Sequence, residues 1–277
     1  MGTRLPRTPT GRPPGPQGYP VAPEQLPQHA LEQGKYSVDF ARSGADVDAV
    51  QRLRFEVFNV EMGEGLEESH ATGRDQDRFD SVCHHLLVRA QQTGDVVGTY
   101  RMQTVEMARR HQGFYSNEEF TVDSLPGDVL ENSIEVGRAS VAKPYRNRHV
   151  LFLLWRGLAA YMQHNAKRYL FGCCSISSQD PAEGKRVMEH LEREGFVHPT
   201  LGIAPRSDWV CYDDGYELKA ADRASKVRLP KLFSLYLRYG AKVCGPPAID
   251  RCFKTIDYLV VLDIEALDEN SRRMFFA

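Results

Sequence analysis

The sequence predicts a mixed α/β (α+β) fold, with strands and helices interleaved along the chain. Three observations carry this. Segments of strand and helix character alternate from residue 35 onward, with no internal repeat. A Gly94-Asp95 turn between two β-patterned runs marks a hairpin. The composition, 42% hydrophobic and 26% charged over 277 residues, is that of a globular chain long enough to bury a sizeable core. It excludes a disordered or collagen-like chain. No apolar run approaches the ~20 residues of a membrane-spanning helix.

Residues 1–34 stand apart. They hold 8 of the 16 prolines, which fix φ and lack an amide donor, so this stretch is expected to be a disordered Pro-rich tail. It has no apolar region of the kind a secretory signal needs. Residues 36–41 are a short strand candidate. Over 46–62, Val50, Leu53, Val57 and Val60 recur at spacings of three and four, which predicts a helix; Arg54, Phe58 and Glu61 follow the same rhythm on a neighbouring stripe. Residues 61–80 are loop-like and acidic, with seven Asp or Glu against two Arg. The hairpin spans 85–90 and 96–104, and 113–130 is turn-rich. A strand containing small residues follows at 133–142, ended by Pro144. Residues 150–163 form a mostly apolar, well-covered helix, and 169–175 a buried strand. Asp180-Pro181-Ala182-Glu183 has the N-cap, N1 proline and N3 acid of a helix start, and Gly195 marks its stop. Residues 226–243 are amphipathic and basic, and 258–264 are a last apolar strand.

The formal charge of −2 hides a sorting of charge along the chain. Between 136 and 179 there is no Asp or Glu but there are seven Lys or Arg; between 219 and 254 nine basic residues stand against two acidic ones. An acidic pocket suits a cationic small substrate. A basic helix start suits a phosphate or an acidic protein, and a basic amphipathic segment suits an anionic membrane. The near-neutral total argues against nucleic acid as a partner. Six cysteines without a CxxC pair read as reduced, mostly buried thiols of a cytosolic protein. No GxSxG, GxGxxG, P-loop or HExxH motif occurs, which disfavours hydrolase, dinucleotide and zinc chemistry. His84-His85 is not a metal pair, because strand neighbours face opposite ways; one is expected buried and one exposed. No metal site is expected.

A set of runs in order carries a family resemblance: Arg54-Phe55-Glu56-Val57-Phe58; Phe79-Asp80-Ser81-Val82-Cys83-His84-His85-Leu86-Leu87-Val88; Gly98-Thr99-Tyr100-Arg101; Ile134-Glu135-Val136-Gly137-Arg138-Ala139-Ser140-Val141 with Pro144-Tyr145-Arg146; Leu170-Phe171-Gly172-Cys173; Gly245-Pro246-Pro247-Ala248-Ile249-Asp250 and Phe253-Lys254-Thr255-Ile256-Asp257. Spread over 36–267, these resemble the GNAT-like L-ornithine N-acyltransferases of lyso-ornithine lipid synthesis, relatives of N-acyl amino acid synthases and acyl-homoserine-lactone synthases. The resemblance implies one GNAT-like acyltransferase domain over 35–277, built on a twisted mixed sheet flanked by helices. It implies a (3-hydroxy)fatty acyl thioester on acyl carrier protein as donor, an amino acid α-amine as acceptor, and no bound cofactor beyond the carrier's phosphopantetheine. The alternatives are an N-acyl amino acid synthase with another acceptor, or a non-catalytic protein that binds acyl carrier protein or membrane. The acidic 61–80 stretch favours a dibasic acceptor. CoA-using relatives carry a glycine-rich loop before the central helix; here it reads Tyr145-Arg146-Asn147-Arg148-His149. Without glycine, close backbone approach to a pyrophosphate is disfavoured. A single phosphate held by Lys143, Arg146 and Arg148 is expected instead, and acyl carrier protein, being acidic, matches the acid-free stretch. The setting expected is the cytoplasm, with peripheral contact at the inner face of the membrane through 226–243, unless that segment simply packs on the domain.

Amide formation from a thioester needs a neutral amine, a stabilised oxyanion and a leaving thiolate. Glu135 is the first candidate base and Asp80 the second. Arg54, Asp80, Arg101, Glu135 and Arg138 match, in order, the charged residues of the homoserine-lactone synthases. Arg138 and Arg101 are candidates for the acceptor's carboxylate, with Arg54, Phe58 and Glu61 completing the acceptor site. Glu135 and Arg138 share a pocket only if their strand bulges, which Gly137 permits; splayed amides would then serve the oxyanion. Cys173 and Cys174 are not expected to be acyl nucleophiles, because an apolar strand raises a thiol's pKa.

Overall fold

The computed structural model describes residues 18–28 and 31–276. Nine strands form one mixed sheet: β1 (Leu31–Gln33), β2 (Tyr36–Phe40), β3 (His84–Ala90), β4 (Val96–Thr104), β5 (Ser133–Val141), β6 (Tyr169–Ile176), β7 (Lys242–Val243), β8 (Ala248–Asp250) and β9 (Thr255–Asp263). The order is β1-β2-β3-β4-β5-β6-β9-β7, with β8 also on β9. Every pair is antiparallel except β5 with β6. The expected mixed sheet flanked by helices is therefore present.

Period-two alternation sorts the strand residues between two covers. Val38, Leu86, Tyr100, Ile134, Leu170 and Tyr258 lie in the larger core with the Arg148–His164 helix. Leu87 on the opposite face packs with Val47 and Val50 of α1 (Gly44–Phe55), and Phe171, Leu259 and Val261 pack with Phe114, Phe120 and Val122. The same alternation sends Arg101, Glu135, Cys173 and Asp257 to this second face, so their chemistry converges there.

Ser43 caps α1 by accepting from the Asp46 amide. The helix expected over 46–62 changes winding midway: Glu56–Met62 continues as a π-helix and ends at Gly63, whose φ of 70° suits glycine. The hairpin, the 133–142 strand and the helix begun by Asp180 fall where expected, the last as Pro181–Arg193 with Asp180 accepting from Ala182 N.

Two irregularities shape the site. Thr99 pairs with Ser140 and Arg101 with Gly137, so β5 carries one extra residue opposite β4. The bulge is where the sequence reading put it, but Arg138, not Gly137, takes the left-handed conformation, at φ 50°. A non-glycine residue there costs roughly 1–2 kcal/mol. The second irregularity is a fork. β5 pairs with β6 only over Ser133–Glu135, and the strands part beyond. A Cβ on Gly172 would stand 2.1 Å from Val136 O, so this closest approach before the fork requires glycine.

Two expectations need correction. His84 and His85 are both buried, because the sheet is covered on both faces at this point. Part of the 1–34 stretch is ordered: Pro23–Gln25 form a 3-10 turn, Leu26 is fully buried, and β1 pairs with β2. His84 Nε2 lies 2.7 Å from Val21 O and its Nδ1 2.7 Å from Tyr161 Oη, tying this segment to the sheet. The rest of the expected tail, residues 1–17, lies outside the described residues. The amphipathic stretch at 226–243 follows the packed alternative: the Lys231–Arg238 helix buries Phe233 and Leu237, and Tyr236 and Tyr239 pack on Trp155. No helix among the described residues is long and apolar enough to cross a membrane. Four of the six cysteines are buried, Cys173 is half-buried and Cys252 exposed, and all six are free.

Candidate active site

Six charged side chains interlock at the centre of the second face. Arg54 is fully buried; its Nε donates to Asp75 Oδ2 at 2.6 Å, and Nη1 and Nη2 donate to Asp80 at 2.8 and 2.9 Å. Arg101 Nη1 donates to both Asp77 oxygens at 2.6 Å and to Asp80 Oδ1 at 2.9 Å. Arg138 Nη2 donates to Asp77 Oδ2 at 3.0 Å, and its Nε lies 3.5 Å from Asp75 Oδ2. Three arginines face three aspartates in water-poor surroundings, where only such mutual pairing offsets desolvation. Aromatic rings complete the cage. The Arg138 guanidinium lies between Tyr115 and Phe253, 4.7 and 4.4 Å from their centroids.

This network revises several sequence expectations. Asp80 is a poor base: although burial opposes it, the Arg54 and Arg101 guanidiniums hold its carboxyl far below the usual range. Arg54 is engaged through all three of its nitrogens, whereas Arg101 bonds the aspartates through Nη1 alone and Arg138 through Nη2 alone, so the aspartates compete with an acceptor carboxylate for these two without exhausting their donors. The acidic 61–80 stretch is likewise neutralised at Asp75, Asp77 and Asp80. Phe58 packs edge-on against Phe253, 5.6 Å between centroids, which puts it at the rim of the Arg138 cage.

Glu135 is buried beside the network. Its carboxylate accepts from Tyr115 N at 2.9 Å and Ser116 N at 2.7 Å. It thereby anchors the Tyr115–Glu118 turn and sets the Tyr115 ring against Arg138. Burial pushes its carboxyl upward, and the two backbone donors only partly oppose this. The bulge and the fork bring Glu135 and Arg138 to one region, as required for the two to share a site. Arg138 and Ala139 have ladder partners on neither side. Burial raises the thiols of Cys173 and Cys174, in keeping with non-nucleophilic cysteines.

The expected phosphate site is altered. Arg146 Nη1 and Nη2 donate to Glu61 at 2.5 and 2.7 Å, so two residues expected at different parts of the substrate site pair with each other. Asn147 caps the Arg148–His164 helix by accepting from His149 N and Val150 N, both at 3.0 Å. Two amides that an anion would use are thus already satisfied. Lys143 and Arg148 remain exposed at this end.

Sequence reasoning missed Asp75 and Asp77 as individuals, though it saw their acidic stretch. It missed Tyr115 and Glu119, which lie outside the motifs and meet their charged residues only through the sheet, and it quoted Phe253 within a motif without assigning it to the site.

Residues 53–156 match the family model described as an acetyltransferase (GNAT) domain. The fold is GNAT-like. The L-ornithine N(alpha)-acyltransferase of Brucella abortus (strain 2308) is 34% identical over 253 residues, covering 84% of this chain and 86% of that protein. The protein of the same name from Rhizobium meliloti (strain 1021) is 33% identical over 235 residues, covering 81% and 78%. The chain belongs to the family of these L-ornithine N(alpha)-acyltransferases. Among solved structures, the acyl-homoserine-lactone synthase LasI gives a TM-score of 0.47 at 11% identity, covering 90% of this chain and 95% of that one.

Proposed function

We propose that this enzyme transfers a (3-hydroxy)fatty acyl group from acyl carrier protein to the α-amine of L-ornithine, giving lyso-ornithine lipid. The observation that carries the acceptor is family membership over most of the chain: relatives at 34% and 33% identity bear the name of that activity. Carrier protein as donor is supported by the acid-free 136–179 stretch and the glycine-less 145–149 loop. The exposed Lys143 and Arg148 lie near Val60 and Met62, 58% and 47% exposed, because the Glu61–Arg146 pair joins the two segments. This is a basic and apolar surface of the kind an acidic acyl carrier would use.

In the mechanism, the acyl thioester enters the β5–β6 fork. The amides of Arg138 and Ala139, outside both ladders, stabilise the oxyanion. Glu135, with its raised carboxyl, accepts the proton of the α-ammonium. The aspartate–arginine network does not bind substrate directly; it fixes the bulge and the Tyr115 ring. Contact with an anionic membrane would fall to exposed charges such as Lys231 and Arg238, the apolar face of their helix being buried.

The test is an acyl-transfer assay on purified protein. Matched 3-hydroxyacyl carrier protein and acyl-CoA are offered with a panel of amino acids, and products are read by mass spectrometry. N-acyl-ornithine formed from the carrier protein and not from CoA is expected. Transfer to a neutral amino acid in preference would overturn the acceptor, and efficient use of CoA would overturn the donor.

A further inference from the structure

Arginines neutralise the acidic stretch near the site, but a second group of carboxylates has no such match. Glu119, Asp250 and Asp257 place oxygens within 4.8 Å of one another, and all three residues are buried. The neighbouring cations are engaged elsewhere, Arg138 with Asp75 and Asp77 and Lys254 with Glu67. Three buried polar atoms here, Glu119 Oε1, Asp257 Oδ1 and Thr255 Oγ1, make no hydrogen bond of good geometry, although Glu119, Ser175 and Thr255 stand close enough to Asp257 to act on its carboxyl. Thr255 is 1% exposed; it precedes Asp257 by two on β9 and stands opposite Asp250 in register, so its hydroxyl faces the same side as the Asp257 carboxylate. Unpaired buried polar atoms are costly, and several around one point mark a missing partner. Burial and mutual repulsion push the Glu119 and Asp257 carboxyls upward, so the group is short of positive charge.

The group adjoins the reaction site. Cys173 Sγ lies 3.6 Å from Ser116 Oγ and 3.9 Å from Glu119 Oε2, and Ser116 N holds Glu135. Asp250 is fixed by the amides of Cys252 and Phe253, at 2.8 and 2.7 Å, beside the ring that covers Arg138. Ser175, opposite Asp257 in register, is exposed, which gives the group a side open to solvent.

We propose that Glu119, Asp250 and Asp257 bind the side-chain ammonium of a dibasic amino acid acceptor and set the enzyme's preference for it. The inference rests on the acceptor reading above and assigns the residues responsible for it. An ammonium offers three N–H donors, one for each carboxylate. A hard divalent ion takes about six to eight oxygens, which this group reaches only with all three carboxylates bidentate or with added waters. The acceptor's α-amine would then project toward Glu135 and the fork, with its side chain along Cys173 and Tyr115.

The test compares L-ornithine with L-norvaline, the same carbon chain without the terminal amine, in the wild-type enzyme and in Asp257→Asn, Glu119→Gln and Thr255→Val. The ornithine-to-norvaline ratio of kcat/KM is expected to fall about 30-fold or more in the carboxylate variants, mainly through KM for ornithine. Glu119→Gln keeps the side chain's shape while removing its charge, so it carries the test should Asp257→Asn not fold. An unchanged ratio in folded variants overturns the inference while leaving the acceptor reading intact. Wild-type activity abolished by a chelator and restored by Mg²⁺ also overturns it, since the cation would then be a metal. A wild-type enzyme that prefers norvaline overturns both.

Discussion

Replacing Arg54 by Met tests the charged network directly. The side chain is fully buried and makes four hydrogen bonds, three to the Asp75 and Asp80 carboxylates and one to Asp75 O. Met fills similar volume but removes one of three buried positive charges. Asp80 keeps Arg101, but Asp75 is left with only Arg138 Nε at 3.5 Å and an Oδ1 that already lacks a partner. Breaking a buried pair in this way costs about 3–5 kcal/mol. For a chain of this size that corresponds to a fall in Tm of roughly 6–20 °C. Differential scanning calorimetry at pH 7 measures it. The double variant Arg54→Met/Asp75→Asn should recover part of the loss, because the stranded charge is gone. The pH dependence has a definite sign. Asp80 has its folded-state carboxyl depressed, so its stabilisation is present above the usual carboxylate range and is lost as pH falls through the acid range. The gap between wild type and variant should therefore be widest near pH 7 and narrow toward pH 2. A Tm within about 3 °C of wild type at pH 7, or no recovery in the double variant, would refute the account of an interlocked network.

Further outcomes are expected elsewhere. Glu135→Gln should lower kcat by about 10²- to 10⁴-fold; because Gln turns one acceptor into a donor facing a backbone amide, circular dichroism must first show the variant folded, and a folded variant with near-normal kcat removes Glu135 as the base. The double variant Lys143→Glu/Arg148→Glu should raise KM for acyl carrier protein with kcat nearly unchanged, and its KM should lose salt dependence; an unaltered KM would exclude this surface. Gly172→Ala forces a Cβ toward Val136 O and should destabilise the domain and widen the fork, giving a lower Tm together with lost activity; normal Tm and activity would show that the close approach is not required. Burial lowers His84 and His85 to about 4, so their neutral forms stabilise the fold fully above the usual imidazole range, and that contribution should decline as pH falls from about 6.5 to 4. Calorimetry across that interval reads the decline, and a flat Tm profile would contradict it.

Local pattern alone determined much of this protein. Period-two runs gave the hairpin and the central strand, Asp180-Pro181 gave a helix start, and Gly137 in a charged strand gave the bulge. The ordered motifs gave the family, and with it Arg54, Arg101, Glu135 and Arg138 as a group. These features were legible because each is written over a few neighbouring residues. The tertiary structure decided what those residues do. Whether an arginine is free for a substrate depends on which carboxylates the fold brings against it, and Asp75, Asp77 and Asp80 engage all three arginines, Arg54 completely. Glu61 and Arg146, 85 positions apart, cancel each other for the same reason. Ordered packing of part of the proline-rich start depended on a groove that exists only once the sheet is built. Glu119, Asp250 and Asp257 come from a turn and two strands far apart in the chain. Side-chain charge is a local property, but its neutralisation is a contact, and contacts across long sequence separations are set by the sheet order and not by any stretch of sequence.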